Sequence, residues 1–324
     1  MAKINIVEAV NSALAQEMEK DNDVIVMGED VGVNGGVFRA TDNLQKKFGP
    51  NRVIDTPLSE EGIVGTAIGM AAYGLKPVAE IQFSGFLFAA FDQLFSHAAR
   101  IRWRSSNRYH VPLVVRTPGG GGVRAFELHC ECPESYFAHM PGIKVVCPST
   151  PYDTKGLLIS AIRDPDPVIF LEPMRIYRAI KEEVPEKEYT IPLGKAKIAR
   201  EGNDVTLVTY GAMAKYVLQA AEKIQDKVDA EVIDLRTIYP FDSEAIINSV
   251  KKTGRAVIVH EAPKTSGFGA EIIATINEKA LLSLEAPIVR VTGYDTVLPM
   301  AKLENYHIPS EERIIKGISK VMSF

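Results

Sequence analysis

Apolar residues along this chain alternate between two patterns, a helical spacing and then a short unbroken run. From Asn5 to Lys20 the positions Val7, Val10, Leu14 and Met18 share one helical face, and the run Val24–Met27 that follows reads as a strand. The alternation continues with a helix over Glu60–Gly74, a strand at Val78–Gln82, a helix over Ala89–Arg104, and strands at Val111–Arg116 and Ile143–Val146. Thr150 reads as an N-cap with Pro151 at the first helical position, opening a helix to about Arg163, and Pro167–Leu171 is another run of strand length. Strands that are apolar throughout, rather than on alternate positions, predict a parallel sheet with helices on both faces.

The rhythm breaks over Ala179–Gly194, a charged, proline-punctuated stretch that reads as a linker. It restarts with strands at Asp204–Tyr210, Ala230–Leu235, Ala256–His260 and Ile288–Val291, separated by helices over Ala212–Gln225, Asp242–Lys251 and Gly269–Leu281. The expected organisation is therefore a first α/β domain over residues 1–185, a linker over 186–203 and a smaller α/β domain over 204–324. A length of 324 residues, beyond the usual size of one domain, agrees with two.

A formal net charge of −4 argues against a nucleic-acid partner, which requires a basic excess. No apolar run approaches the roughly 18–20 residues that span a membrane. The start MAKINIVEAV lacks the basic and long apolar regions of a signal peptide, so a reducing, cytoplasmic setting is expected. Cys130, Cys132 and Cys147 suggest neither a disulfide framework nor, without a second pair at ligand spacing, a zinc site.

Candidate chemistry concentrates in two segments. In Asp55–Gly74 the small residues Gly62, Gly65, Gly69 and Ala72 recur along one helical face. An interior glycine costs roughly 1 kcal/mol relative to alanine, so such a face implies close approach of another backbone, most simply an equivalent helix across a subunit interface. Glu60 and Glu61 open that helix, where the dipole favours carboxylates whether or not they do chemistry. The second segment runs from Gly119–Gly122, which lacks the lysine of a P-loop, to His129 in an irregular polar stretch. Its glycines imply close approach to a ligand or to another chain. His129 could be a structural or a catalytic histidine on these grounds alone, and no histidine pair at metal spacing or serine elbow is present.

Several blocks are specific enough to carry a resemblance. MGEDVGVNGGVFRAT (Met27–Thr41), DTPLSEEGIVGTAIGMA from Asp55, EIQFSGFLFAAFDQ (Glu80–Gln93), PGIKVVCPSTPYDTKGLL (Pro141–Leu158), VIDLRTIYPFD (Val232–Asp242) and HEAP (His260–Pro263) resemble the β subunit of 2-oxoacid dehydrogenase decarboxylating components, essentially from end to end. The resemblance implies a transketolase-like, thiamine-diphosphate-binding pyrimidine domain with a mainly parallel sheet, followed by a smaller α/β domain of the transketolase C-terminal type. It implies an α2β2 heterotetramer with an α subunit that holds Mg²⁺ and the diphosphate through a G-D-G motif. That motif is absent here, the nearest string being Gly28-Glu-Asp30, as suits a chain supplying only the aminopyrimidine half.

The family's essential glutamate falls on Glu60, with Glu61 a rival by position only. Its carboxylate is expected to hydrogen-bond the pyrimidine N1′ and promote the tautomer that activates the cofactor. Phe86 matches the aromatic beside the pyrimidine ring, Leu58 and Gln82 match neighbouring pocket positions, and His129 matches an active-site histidine serving substrate or lipoyl group. Leu113, Ala161, Ile162, Asp164 and Asp166 match a structural K⁺ site. The expected reaction is oxidative decarboxylation of a 2-oxoacid with acyl transfer to a lipoyl group on the acyltransferase core. Blocks such as YFAHMPGIKVV and IFLEPMRIYRA lean towards branched-chain substrates, with pyruvate and acetoin members as the alternative. A stand-alone transketolase-type enzyme is disfavoured by the missing G-D-G, and a purely docking subunit by the presence of Glu60, Phe86 and His129.

Overall fold

The computed structural model describes residues 2–299 and 301–324. Its first large sheet has seven strands in the order Thr237–Tyr239, Lys144–Val146, Val168–Pro173, Val114–Gly119, Lys76–Glu80, Val24–Gly28, Val53–Asp55. All neighbours are parallel except the first pair. Val24–Gly28 and Val168–Pro173 are buried at every position, which is why their sequences show no alternation. A second sheet of five strands runs Val289–Gly293, Ala256–Pro263, Val205–Thr209, Ala230–Asp234, Lys197–Arg200, antiparallel only at its last strand. Ala2–Ile4 and Glu182–Val184 form a separate antiparallel pair.

Local signals explain the helices that cover these sheets. Asn5 and Glu8 make a reciprocal capping box at the start of Ile6–Lys20. Thr150 caps Pro151–Ile162 as expected, its hydroxyl accepting the Asp153 N–H at 3.1 Å. These two helices pack against each other on one face of the first sheet.

Three expectations need correction. The stretch read as featureless linker holds the strands Glu182–Val184 and Lys197–Arg200. Both are short, charged edge strands, which is how proteins protect exposed edges and why no apolar run announced them. The helix expected over Ala89–Arg104 is instead a 3₁₀ turn (Phe86–Ala90), a π-helical segment (Gln93–Ala98) and a single α turn (Ile101–Arg104). Apolar spacing over so few residues does not separate these winding types. The strand expected from Val111 begins at Val114, because Pro112 has no N–H to give a ladder.

The two sheets form one body. Thr237–Tyr239 leaves the second domain and pairs antiparallel with Lys144–Val146 of the first. Across the same seam Tyr210 donates to Glu134 at 2.7 Å and Arg236 to Asp153 at 2.9 Å. The Ser149 hydroxyl donates to buried Asp234 at 2.9 Å, and burial together with the nearby Asp153 charge pushes the Asp234 carboxyl up to about 7.

Beneath the carboxyl ends of the first sheet lies a fully buried charge cluster. Arg116 donates to both oxygens of Glu172, at 2.6 and 2.8 Å, and to Glu80 on its other side, while Tyr177 donates to Glu172. One guanidinium faces two carboxylates, so burial holds Glu80 above the ordinary carboxylate range. Gly28 and Gly36 press on Glu80, where an added Cβ would come within 2.5 Å of its backbone carbonyl and 2.8 Å of its carboxylate respectively.

Candidate functional site

Ligands of open parallel sheets bind beyond the carboxyl ends of the strands, and the expected residues gather there. Val53–Asp55 leads through an exposed loop containing Leu58, which is 79% exposed, into the helix Glu60–Ala72. Ser59 caps this helix by accepting the Gly62 N–H at 3.2 Å, which places both glutamates in the first turn. The two then differ. Glu61 accepts the Gln93 side-chain amide at 3.3 Å, whereas Glu60, which is half-buried, makes no side-chain hydrogen bond among the described residues. Glu29, at the end of Val24–Gly28, is held above the usual carboxylate value by burial, then by the charges of Glu60 and Asp30.

The helix packs against the Phe86–Ala90 turn. Phe86 and His129 meet with ring centroids 5.0 Å apart, and Phe83 joins them at 5.7 Å from Phe86 and 4.4 Å from His129. Gln82 is half-buried one residue before Phe83. The His129 loop is tied to this turn by its backbone, because the Gly85 N–H donates to Leu128 O at 3.0 Å and the Ser84 hydroxyl to Glu131 O at 2.7 Å. Gly85 is required there, since a Cβ would fall 2.1 Å from the Leu128 carbonyl. Sequence reasoning missed Phe83 and Glu29. The signal available for Glu29 was its place just past the end of a buried strand.

The glycine-rich loop is closely packed within the chain itself. Within the chain its close approaches are to Ser84, to the second domain and to Arg175. A Cβ at Gly120 would meet the Glu261 carboxylate, one at Gly121 would lie 2.6 Å from Ile308, and one at Gly122 would lie 2.5 Å from the Arg175 backbone. The helical glycines divide: Gly65 faces Gln93, while a Cβ at Gly69 would meet nothing within 4 Å.

The five positions implied for K⁺ include two carboxylates that have partners of their own. They run along the turn after Ala161 and against Leu113, whose carbonyl accepts the Val168 N–H at 2.9 Å. Both Asp164 oxygens lie on Lys144 Nζ, at 2.6 and 2.7 Å, and both Asp166 oxygens on Arg102 Nη1, at 2.7 and 2.8 Å. The carboxylates are thus already matched by two of the protein's own cations. Among the described residues, no cluster of three or more His, Cys, Asp and Glu side chains is arranged to hold a metal ion, and no helix is long and apolar enough to cross a membrane.

Comparison with known proteins bears on all of this. Residues 2–179 match the family "Transketolase, pyrimidine binding domain", and residues 194–314 match "Transketolase, C-terminal domain". The chain is 54% identical over 322 residues to the pyruvate dehydrogenase E1 component subunit beta of Acholeplasma laidlawii, covering 99% of this chain and 98% of that one. It is 52% identical to the protein of the same name from Bacillus subtilis, covering 100% of both. Among solved structures, a chain titled "Split gene transketolase, inactive beta4 tetramer" superposes with a TM-score of 0.80 at 22% identity, covering 99% of both chains, a likeness of fold.

Proposed function

The chain belongs to the β subunits of thiamine-diphosphate-dependent 2-oxoacid dehydrogenase E1 components, and from that footing we propose that it is a pyruvate-acting member contributing the aminopyrimidine half of a site completed by an α subunit. Substrate choice rests on the curated relatives above half identity over full length, which are named for pyruvate. The branched-chain lean drawn from sequence blocks has no support among them, and its alternative takes its place. The family block EIQFSGFLFAAFDQ builds the turn that carries Phe83 and Phe86, which would serve a cofactor ring common to the whole group.

The observation that carries the site reading is the Glu60 carboxylate, without a hydrogen-bond partner among the described residues, in the first turn of a capped helix that packs on the Phe86 turn. Thiamine diphosphate, when bound, supplies the nucleophilic carbon and the electron sink for decarboxylation. Glu60 would hold the pyrimidine N1′ by a hydrogen bond and keep a proton there, since no side chain among the described residues hydrogen-bonds to its oxygens. Phe86, with Phe83 behind it, would give the ring an apolar face, and Leu58 and Gln82 would border it. His129, half-buried and packed on both phenylalanines, would present its imidazole to the substrate or to the arriving lipoyl group.

Leu58, Phe126 and Leu128 flank this region and are 79%, 67% and 50% exposed, apolar surface suited to burial by the α partner of an α2β2 assembly. The open face at Gly69 suits a helix contact in that assembly. The lipoyl acyltransferase core is the expected further partner. Copurification with the α chain, followed by turnover on pyruvate, 3-methyl-2-oxobutanoate and 4-methyl-2-oxopentanoate, tests the reading. Pyruvate should lead in kcat/KM by at least about tenfold, in the range a few methylenes discriminate; preference for either branched substrate would overturn the assignment.

A further inference from the structure

The loop that carries His129 is fastened at two ends by two different domains. Its far end is held by the first domain, through Gly85 to Leu128 and Ser84 to Glu131. Its near end is held by carboxylates of the second domain. The Gly121 N–H donates to Glu261, on the strand Ala256–Pro263, and the Arg124 N–H donates to Glu304 Oε2 at 3.0 Å. Glu304 also receives Arg175 at 3.5 Å, and Arg175 is fixed in turn by Tyr216 at 2.8 Å and Asn305 at 3.0 Å. Glu304 is buried, and a Cβ at Gly120, whose φ is 75°, would lie 3.0 and 3.1 Å from the Glu261 side-chain oxygens, so the fit favours glycine in the loop and needs an acceptor oxygen opposite.

Backbone geometry shows what these contacts accomplish. Arg124 and Leu128 both lie in the left-handed region, at φ 56° and 67°. Residues other than glycine keep that conformation where their surroundings fix it. Arg124 is fixed through its N–H by Glu304, and Leu128 through its carbonyl by Gly85. The span between them leads directly into His129.

We infer that Glu261 and Glu304 are positioning residues for the reaction, a clamp by which the second domain sets the loop that aims His129 into the site. The clamp touches neither substrate nor cofactor and acts through the Gly121 and Arg124 amides. It gives the second domain a part in the chemistry of a half-site whose other residues in this chain all lie on the first.

The test uses the enzyme assembled with its α partner and rests on His129 serving the site, so His129→Ala is run in parallel. Glu261→Ala should lower kcat by about tenfold or more, as small misplacements of reacting groups do, with KM for the 2-oxoacid little changed. It should also speed amide exchange across residues 119–128. Glu261→Gln, which keeps an oxygen for the Gly121 N–H, should restore both readings. Glu261→Asp, charged but one methylene short, should behave as the alanine variant, and the Gln/Asp contrast decides the matter if the alanine variant does not fold. Unchanged exchange and turnover in Glu261→Asp would overturn the clamp. So would faster exchange with full turnover beside an inactive His129→Ala. Full turnover in His129→Ala would instead overturn the reading of the site, and the clamp would then be judged by amide exchange alone.

Discussion

His129 meets Phe86 edge to face, with ring centroids 5.0 Å apart and planes at 74°. The two were expected at one site, and Phe83, tilted at 58° against the imidazole, supports both. Aromatic contacts of this kind are worth about 0.5–1.5 kcal/mol beyond area burial. Phe83→Ala in the assembled enzyme should therefore weaken thiamine diphosphate binding or slow turnover by about threefold to tenfold. Wild-type cofactor titration and turnover together would show that Phe83 does not support the site.

Glu60 and Glu61 occupy the same helical turn, yet among the described residues only Glu61 is hydrogen-bonded, by Gln93. Glu60→Gln should lose about a hundredfold or more in decarboxylation, the range of a positioned acid–base group. Glu61→Gln can still accept the Gln93 amide and should keep most of the activity. Steady-state rates of the two variants with a saturating 2-oxoacid decide it, and a reversed order would move the essential carboxylate to Glu61.

Arg116 is 1% exposed and sits between Glu80 and Glu172. Removing it leaves two buried carboxylates without a counter-charge, a change that costs about 3–5 kcal/mol. Arg116→Met should lower the melting temperature of the assembled enzyme by several degrees. An unchanged melting curve would mean that the cluster relaxes by taking up a proton at no net cost.

Glu261 and Asp234 are both pushed up to about 7, first by burial. Glu261 faces the Gly121 N–H, Arg175, Glu134, Glu304 and Cys132; Asp234 faces Asp153, Arg236, Ser149 and Cys147. A raised carboxyl binds a proton in the fold that the unfolded chain has already shed. Its contribution is full below the ordinary carboxylate range and is lost as pH rises through about 7. The two groups should therefore make the protein less stable at pH 8 than at pH 5, by on the order of 3 kcal/mol each. Asp234→Asn should flatten that slope in pH-dependent melting, and a slope identical to wild type would exclude Asp234 as a source.

The two-domain α/β architecture was legible because buried parallel strands write themselves as unbroken apolar runs. Glu182–Val184 and Lys197–Arg200 were not legible, because edge strands are selected for charge and resemble linker. At the site, Glu60 and Phe86 came from long motif blocks and His129 from its match to the family's active-site histidine, whereas Phe83 is one more apolar residue in a phenylalanine-rich run. Glu261 and Glu304 lay beyond sequence reading for a different reason. Their partners are backbone amides of another domain, and a backbone amide leaves no mark on composition or spacing.

The Thr237–Tyr239 strand has a consequence for how the chain is made. The ribosome releases the whole of residues 1–185 before the strand that closes their sheet has been synthesised. Until Tyr239 emerges, Lys144–Val146 stands as an open edge, a template for pairing with other chains. A fragment cut near residue 190 should precipitate rather than fold, and dividing this gene between its two family domains should give soluble protein only when both halves are produced together.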